Sequence, residues 1–141
     1  MTYRFRVVLA NGVFDMLHVG HLLHLEAAAK WGERLVVSVT DDKHVNKGPN
    51  RPIYNQRQRA LLVKALKCVD DVIIVPGLIS ALQSVKPDIL VKGIDYKEGL
   101  DTVHQWYCRM KGIEIRFTDT PKFSATDAIN AVIRDREKLA S

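Results

Sequence analysis

The sequence predicts a doubly wound α/β fold around a five-stranded parallel sheet, and three observations support this prediction. Short apolar runs alternate with helical stretches along the chain. The five apolar runs are rich in Val and Ile and almost continuously hydrophobic, as in strands that helices cover on both faces. No linker, internal repeat or low-complexity tract interrupts the alternation. We therefore expect residues 1–141 to form a single Rossmann-like domain.

Each predicted element has its own signal in the sequence. Strands are expected where Val- and Ile-rich runs end at turn residues, at 5–12, 34–40, 71–76, 88–93 and 113–118. Helices are expected where apolar residues recur at helical spacing between those runs, at 21–32, 55–69, 78–86 and 102–112. A last helix, at 125–140, closes the chain.

The composition is that of an ordinary globular protein, with 47% hydrophobic and 26% charged residues. No run approaches the roughly 20 apolar residues that a membrane-spanning helix needs. An apolar strand begins within a few residues of the N-terminus, so no signal peptide is expected. Cys68 and Cys108 lack the C-x-x-C spacing of a metal or redox pair, which favours two reduced thiols in a cytoplasmic protein.

The net charge of +5 raises the question of a polyanionic partner. Segments that bind nucleic acids combine blocks of Lys and Arg with aromatic residues, whereas the basic residues of this chain are scattered. A small enzyme that handles polyphosphates would be basic for the same electrostatic reason. The pattern therefore disfavours nucleic acid as a partner, and charge alone does not identify the ligand.

In doubly wound sheets, ligands bind outside the carboxyl ends of the strands, where the strand order reverses. The residues that follow the predicted strands are therefore the candidates for a site: 11–21, 40–51, 93–97 and 118–126. Asp15 lies in the first of these segments and is expected to be an N-terminal cap or turn residue.

Three of the five histidines lie at the junction between the first strand and the first helix. His18 and His21 are three residues apart on the first helical turn, so their side chains share one face, and Gly20 leaves room beside them. Helix N-termini attract anions through unpaired N–H groups. Two imidazoles there suit a phosphate that gains negative charge during a reaction. Ordinary polar residues are the alternative, since H-x-x-H lacks a third ligand at metal-site spacing.

The stretch NGVFDMLHVGH, at 11–21, resembles the H-x-G-H signature of the nucleotidylyltransferase superfamily, in the branch of cytidylyltransferases and sugar-phosphate adenylyltransferases. KGPNRPIYNQRQRALLVKALKCVDDVI and PDILVKGIDYKEG resemble two later segments of that branch, in the same order and spacing. The match covers most of the chain. NGVFD, RP and KGIDYK are most similar to the adenylyltransferase domains of bacterial ADP-heptose synthases, and next to the glycerol-3-phosphate cytidylyltransferases.

The resemblance implies transfer of a nucleoside monophosphate from ATP or CTP to a sugar or polyol phosphate, with release of pyrophosphate. It implies catalytic roles for His18 and His21 at the α-phosphate and for Lys47 as a mobile cation, with His24 partly buried behind them. The residues implied in nucleotide or phosphate binding are Asn11, Gly12, Val13, Phe14, Gly20, Arg59, Gly93, Asp95, Ser124 and Thr126. Arg59 is expected to face the site. Magnesium held mainly by phosphate oxygens and water, and a homodimer, are also implied.

The segment before the last helix departs from the family pattern at two positions. Ser124-Ala125-Thr126 stands where the family has S-T-T, and Asp119 stands where the cytidylyltransferases carry an arginine. Asp119 weakens the cytidylyltransferase alternative, with Lys122 as a candidate replacement cation. Ala125 favours an alternative of another class, a nucleotide-binding module that has lost catalysis. The intact histidine pair and the lysine after strand 2 argue against that alternative.

Overall fold

The computed structural model describes residues 4–123 and 125–140, without the side chains of residues 125–129, 131 and 132. Its strands are β1 (Val7–Gly12), β2 (Arg34–Thr40), β3 (Asp71–Val75), β4 (Ile89–Gly93) and β5 (Glu114–Thr118). Its α-helices are α1 (Val19–Ala29), α2 (Gln56–Lys64), α3 (Leu78–Val85), α4 (Thr102–Lys111) and α5 (Ala125–Ala140). The strands form one parallel sheet in the order β3-β2-β1-β4-β5. The predicted element order and sheet are confirmed.

Buried clusters cover both faces of the sheet, because successive side chains of a strand point to opposite faces. Val8 lies in one cluster with Leu25 of α1. Leu9 lies in the opposite cluster with Leu82 of α3 and Cys108 of α4. All five are at most 1% exposed. This two-sided burial explains why the strands read as continuous apolar runs, and it confirms the doubly wound single domain.

Helix α2 ends at Lys64, sooner than the predicted end at residue 69. The backbone N–H of Leu66 donates to the Val63 carbonyl and that of Val69 to the Leu66 carbonyl, each at 3.1 Å, so the chain tightens into turns. These turns place Val69, which is 6% exposed, in the core. The apolar spacing of this segment therefore reflects burial in turns as well as a helical face.

The order of the strands reverses between β1 and β4. β1 pairs with β2 on one side and with β4 on the other, with Ala10 opposite both Val37 and Val91. The connections after β1 and β4 therefore leave the sheet in opposite directions and open a crevice at the carboxyl ends of these strands. Cys68 and Cys108 are both free thiols, as expected. Within the described residues, none of the helices has the length and apolarity that crossing a membrane requires.

Candidate active site

A cavity of about 350 Å³ opens at the carboxyl ends of β1 and β4, a volume typical of small-molecule sites. The predicted site residues that line it are Asn11, Gly12, Val13, Phe14, His18, Gly20, His21, Lys47 and Gly93. The described lining also includes His24, Lys92 and Lys122, and it contains no aspartate or glutamate. A lining with three histidines, three lysines and no carboxylate is chemically suited to an anionic ligand.

The two histidines of the H-x-G-H motif are held against each other at the start of α1. Their rings stack with centroids 4.0 Å apart and an interplanar angle of 27°. The Gly20 N–H donates to His18 Nδ1 at 3.1 Å, and the His18 N–H donates to His21 Nδ1 at 3.2 Å. These reciprocal bonds form a capping box in which His18 is the N-cap residue. The motif therefore caps its own helix and fixes both rings.

The same bonds determine which ring nitrogens can donate to a ligand. Because backbone N–H groups donate to both Nδ1 atoms, the neutral rings of His18 and His21 carry their proton on Nε2. Burial lowers the pKa of His18, and burial together with His18, Lys47 and His24 lowers the pKa of His21 to about 4. Near neutral pH the His21 ring is thus an uncharged hydrogen-bond donor whose Nε2–H remains free for the cavity.

Gly20 is required by the close approach of two rings. A Cβ atom at this position would lie 2.9 Å from His18 Cε1 and 3.3 Å from Phe123 Cδ2. Contacts this short would displace the imidazole from its stacked position. The prediction that Gly20 leaves space beside the pair is therefore confirmed, although the space is filled by the chain's own rings.

Lys47 lies in the loop after β2 and lines the cavity opposite the histidines. The far end of this loop is attached by Asp15, whose carboxylate accepts from the N–H groups of Ile53 (2.7 Å) and Tyr54 (3.0 Å) and from Arg51 Nε (3.0 Å). Burial opposes ionisation of Asp15, but these hydrogen bonds outweigh it and lower the pKa. Asp15 is thus not the cap of α1, as was considered possible. It joins the β1–α1 turn to the loop that carries Lys47.

The expected placement of Arg59 is wrong. Its side chain is 0% exposed and does not face the cavity. The guanidinium donates to the carbonyls of Tyr54 (2.9 Å), Val13 (2.8 Å) and Thr40 (2.8 Å), and pairs with Asp42 at 2.8 Å. The carbonyl groups at the ends of β1 and β2 need buried donors, and the delocalised guanidinium supplies them. Arg59 therefore holds the cavity walls together and has no donor left for a phosphate.

The β4 and β5 side of the cavity contains residues that the sequence analysis did not select. Lys92 precedes Gly93 at the end of β4, and its Nζ lies 5.2 Å from the Tyr96 ring centroid. His24 lines the cavity, and its Nδ1 is 2.5 Å from Thr118 Oγ1. Two signals could have revealed them: a lone lysine in an apolar strand, and a third histidine on the helical face of the first two.

Asp95 lies at the rim of this side and is ion-paired with Lys122 at 2.8 Å. The hydrogen bond from Lys122 lowers the pKa of Asp95. A Cβ atom on Gly93 would collide with the Lys122 ammonium group, so this glycine is needed for the pair to form. On the other wall, the Asn11 side-chain amide donates to Ser38 Oγ at 2.8 Å. Ser124 and the Thr126 side chain, both expected at the phosphates, lie outside the described part of the chain.

Acid should destabilise the protein through the cavity histidines. Burial, then Lys122 and Lys92, lowers the pKa of His24 to about 4, as for His21. Both rings are therefore neutral in the folded state at pH values where the unfolded chain, with a usual pKa near 6.5, takes up protons. The free energy of unfolding should fall between pH 6.5 and 4 by roughly 1–2 kcal/mol per ring, discounted for solvent screening.

Urea unfolding at stepped pH measures this loss. His21→Gln and His24→Gln should each flatten the decline between pH 6.5 and 4.5, because glutamine takes up no proton. His44 is an exposed histidine outside the cavity, so His44→Gln is the matched control and should leave the decline as in the wild type. Equal slopes in all four proteins would contradict the expectation.

Comparison with known proteins gives a consistent result. Residues 9–131 match a family model described as cytidylyltransferase-like. The bifunctional protein HldE of Pseudomonas syringae pv. syringae is 42% identical over 134 residues, covering 92% of this chain and 28% of the relative. HldE of Methylobacillus flagellatus is 42% identical over 97 residues, covering 66% and 20%. The chain thus spans between a fifth and about a third of the length of these curated relatives.

Solved structures agree with the sequence relatives. A lipopolysaccharide core biosynthesis protein from Thermoplasma volcanium superposes with a TM-score of 0.70 at 31% identity, covering 86% of this chain and 100% of that chain. Pantoate–β-alanine ligase from Francisella tularensis superposes with a TM-score of 0.65 at 16% identity, covering 93% and 70%. The second likeness concerns the fold alone.

Proposed function

The chain belongs to the cytidylyltransferase-like family of nucleotidyltransferases, and from this premise we propose that it is a cytoplasmic adenylyltransferase acting on a sugar phosphate. Heptose 1-phosphate is the acceptor that the similarities favour. The HldE relatives, the lipopolysaccharide core biosynthesis protein and the resemblance to ADP-heptose synthases all support this choice.

One observation carries the proposal: two neutral imidazoles present Nε2–H groups to a cavity whose described lining has no carboxylate. In the proposed reaction an acceptor phosphate oxygen attacks the α-phosphorus of ATP. The bond from the α-phosphorus to the β-phosphate oxygen breaks, and pyrophosphate leaves with the bonding electron pair. No protein nucleophile is needed, because positioning and charge stabilisation supply most of the catalysis in such transfers.

The side chains of the first junction have distinct roles in this reaction. His18 and His21 donate through Nε2 to the non-bridging oxygens of the α-phosphate, where negative charge grows. Lys47 reaches the same phosphates from its exposed loop. Gly12 and Gly93 allow the nucleotide to lie close to the backbone at the ends of β1 and β4. Fixed donors of this kind need no reorganisation when the charge develops.

Magnesium is expected to accompany the triphosphate. The described cavity lining has no carboxylate, and no group of three His, Cys, Asp or Glu residues among the described residues is suited to a metal ion. These donors do not form a protein cage for Mg²⁺, which prefers oxygen ligands. We therefore assign the ion to phosphate oxygens and water, and no step of the mechanism depends on a protein ligand to it.

A homodimer is part of the proposal. β3 is an edge strand, and Leu61 of α2 (68% exposed) and Ile74 of β3 (39% exposed) place apolar surface beside it. Edge strands with apolar neighbours commonly pair with another chain. Light scattering after size-exclusion chromatography measures the mass, and a 32 kDa species, twice the 16.0 kDa chain, would support the dimer.

The decisive experiment is a pyrophosphate-release assay with ATP or CTP against heptose 1-phosphate, glycerol 3-phosphate and other sugar phosphates. We expect release with ATP and heptose 1-phosphate to exceed every other pair. Release mainly with CTP and glycerol 3-phosphate would favour the cytidylyltransferase alternative, which the family description keeps open. No release with any pair would contradict the enzymatic proposal in favour of a nucleotide-binding module.

A further inference from the structure

The β4 and β5 side of the cavity holds positive charge that the mechanism above does not use. Lys92, Lys122 and His24 all line the cavity. Lys122 is paired with Asp95, and both side chains are more than half exposed, at 52% and 59%. Lys92 forms no ion pair with any described carboxylate, and the one ring below its Nζ, Tyr96, is 5.2 Å away at the centroid. A half-buried lysine in this condition lacks a counterion.

Burial without a counterion is unfavourable for a charged group. Burial lowers the pKa of Lys92, and Lys122 and Lys92 both act on the buried His24. The three nitrogens come from three separate elements: α1, β4 and the segment after β5. An arrangement that is costly when empty becomes favourable when an anion joins it.

We infer that His24, Lys92 and Lys122 form a second anion subsite, which binds the pyrophosphate part of the nucleoside triphosphate and then the released pyrophosphate. The identity of this ligand rests on the proposed function. There the histidine pair takes the α-phosphate, so the remaining charge of the triphosphate lies on the adjoining β- and γ-phosphates. Two lysines match two phosphate groups, whereas an acceptor monophosphate carries less charge.

The exposed ion pair at the rim allows such binding. Lys122 is the only described cation paired with Asp95, and the pair is solvated on both sides, so an exchange of Asp95 for phosphate oxygens costs little. Helix α5 begins at Ala125, just after this lysine, and the positive end of a helix dipole favours the same anion. The subsite is thus assembled from side chains, with the helix as a minor contribution.

Calorimetric titration of the whole chain with inorganic pyrophosphate, in a buffer without phosphate, tests the subsite. Lys92→Met should weaken binding roughly 10- to 100-fold, as for loss of a charged hydrogen bond. Lys92→Arg should stay within about threefold of the wild type, because it keeps the charge. Lys97→Met removes the same charge outside the cavity and is the matched control, with unchanged affinity.

The melting temperature gives a second readout. Lys92→Met should melt no lower than the wild type in the same buffer, since it removes a buried charge without a counterion. A structural lysine would show the opposite, with a lower melting temperature and no recovery in Lys92→Arg.

Three results would overturn the subsite: no pyrophosphate binding by the wild type at millimolar concentration, unchanged affinity in Lys92→Met, or equal weakening of pyrophosphate and inorganic phosphate. The last would indicate a general monophosphate site. The titration needs no acceptor and no nucleotide base. A chain that binds pyrophosphate through Lys92 but releases none from any substrate pair would therefore keep the subsite and lose the proposed function, and turnover with Lys92-independent binding would do the reverse.

Discussion

Replacement of His18 by asparagine should lower turnover by roughly 10²- to 10³-fold while the protein stays folded. Asparagine is among the best N-cap residues, so its side-chain oxygen can accept from the Gly20 N–H as His18 Nδ1 does at 3.1 Å. The substitution removes only the Nε2–H donor that faces the cavity. It therefore separates the two tasks of this residue, capping α1 and stabilising charge on the α-phosphate.

The measurement is initial-rate pyrophosphate release with the substrate pair that the release assay identifies. Circular dichroism should show a melting temperature within a few degrees of the wild type. His44→Asn, at an exposed histidine away from the cavity, should leave turnover unchanged. His21→Ala offers a second variant, with a loss of similar size from the paired donor. Turnover at the wild-type level in both cavity variants would remove the histidines from the mechanism.

The largest effect on stability should come from Arg59→Met. Methionine fills much of the same volume but leaves three buried carbonyls and Asp42 without their donor. Removal of one partner from a buried charged network typically costs about 3–5 kcal/mol. Since single domains are stable by about 5–15 kcal/mol, this substitution should remove a third or more of the free energy of unfolding.

Urea denaturation of Arg59→Met and Arg57→Met provides the comparison. Arg57 lies two residues away on α2 with an exposed side chain, so its replacement should change stability by no more than about 0.5 kcal/mol. Arg59→Lys should fall between the wild type and Arg59→Met, because one ammonium cannot reach three carbonyls and a carboxylate. A loss below about 1 kcal/mol in Arg59→Met would contradict the structural assignment.

The strands and the histidine pair could be predicted because they depend on local pattern. β2 was expected at 34–40 and runs from Arg34 to Thr40, since a strand covered on both faces is a continuous apolar run. His18 and His21 meet because helical geometry brings residues three apart onto one face. Such features require only the residues between two neighbouring turns.

The networks beneath the cavity could not be predicted in this way. Arg59 bonds to Val13, 46 residues earlier in the chain, and Asp15 to Tyr54, 39 residues later. Helical spacing correctly placed Arg59 on α2, but it does not reveal that the facing surface consists of backbone carbonyls. A motif position was therefore interpreted as a phosphate contact when its physical task is to satisfy buried acceptors. Lys92 was missed because its strand was evaluated for apolar content alone.

The absence of carboxylates from the described cavity lining also affects how this protein should be handled in the laboratory. Any multivalent anion that enters the ligand-free cavity binds the folded chain and not the unfolded one, and thereby raises the melting temperature by mass action. Phosphate, sulfate and citrate buffers are therefore ligands for this fold. Thermal stabilities of its variants are comparable only in a buffer such as HEPES, and a screen of buffer anions is at once a screen of the site.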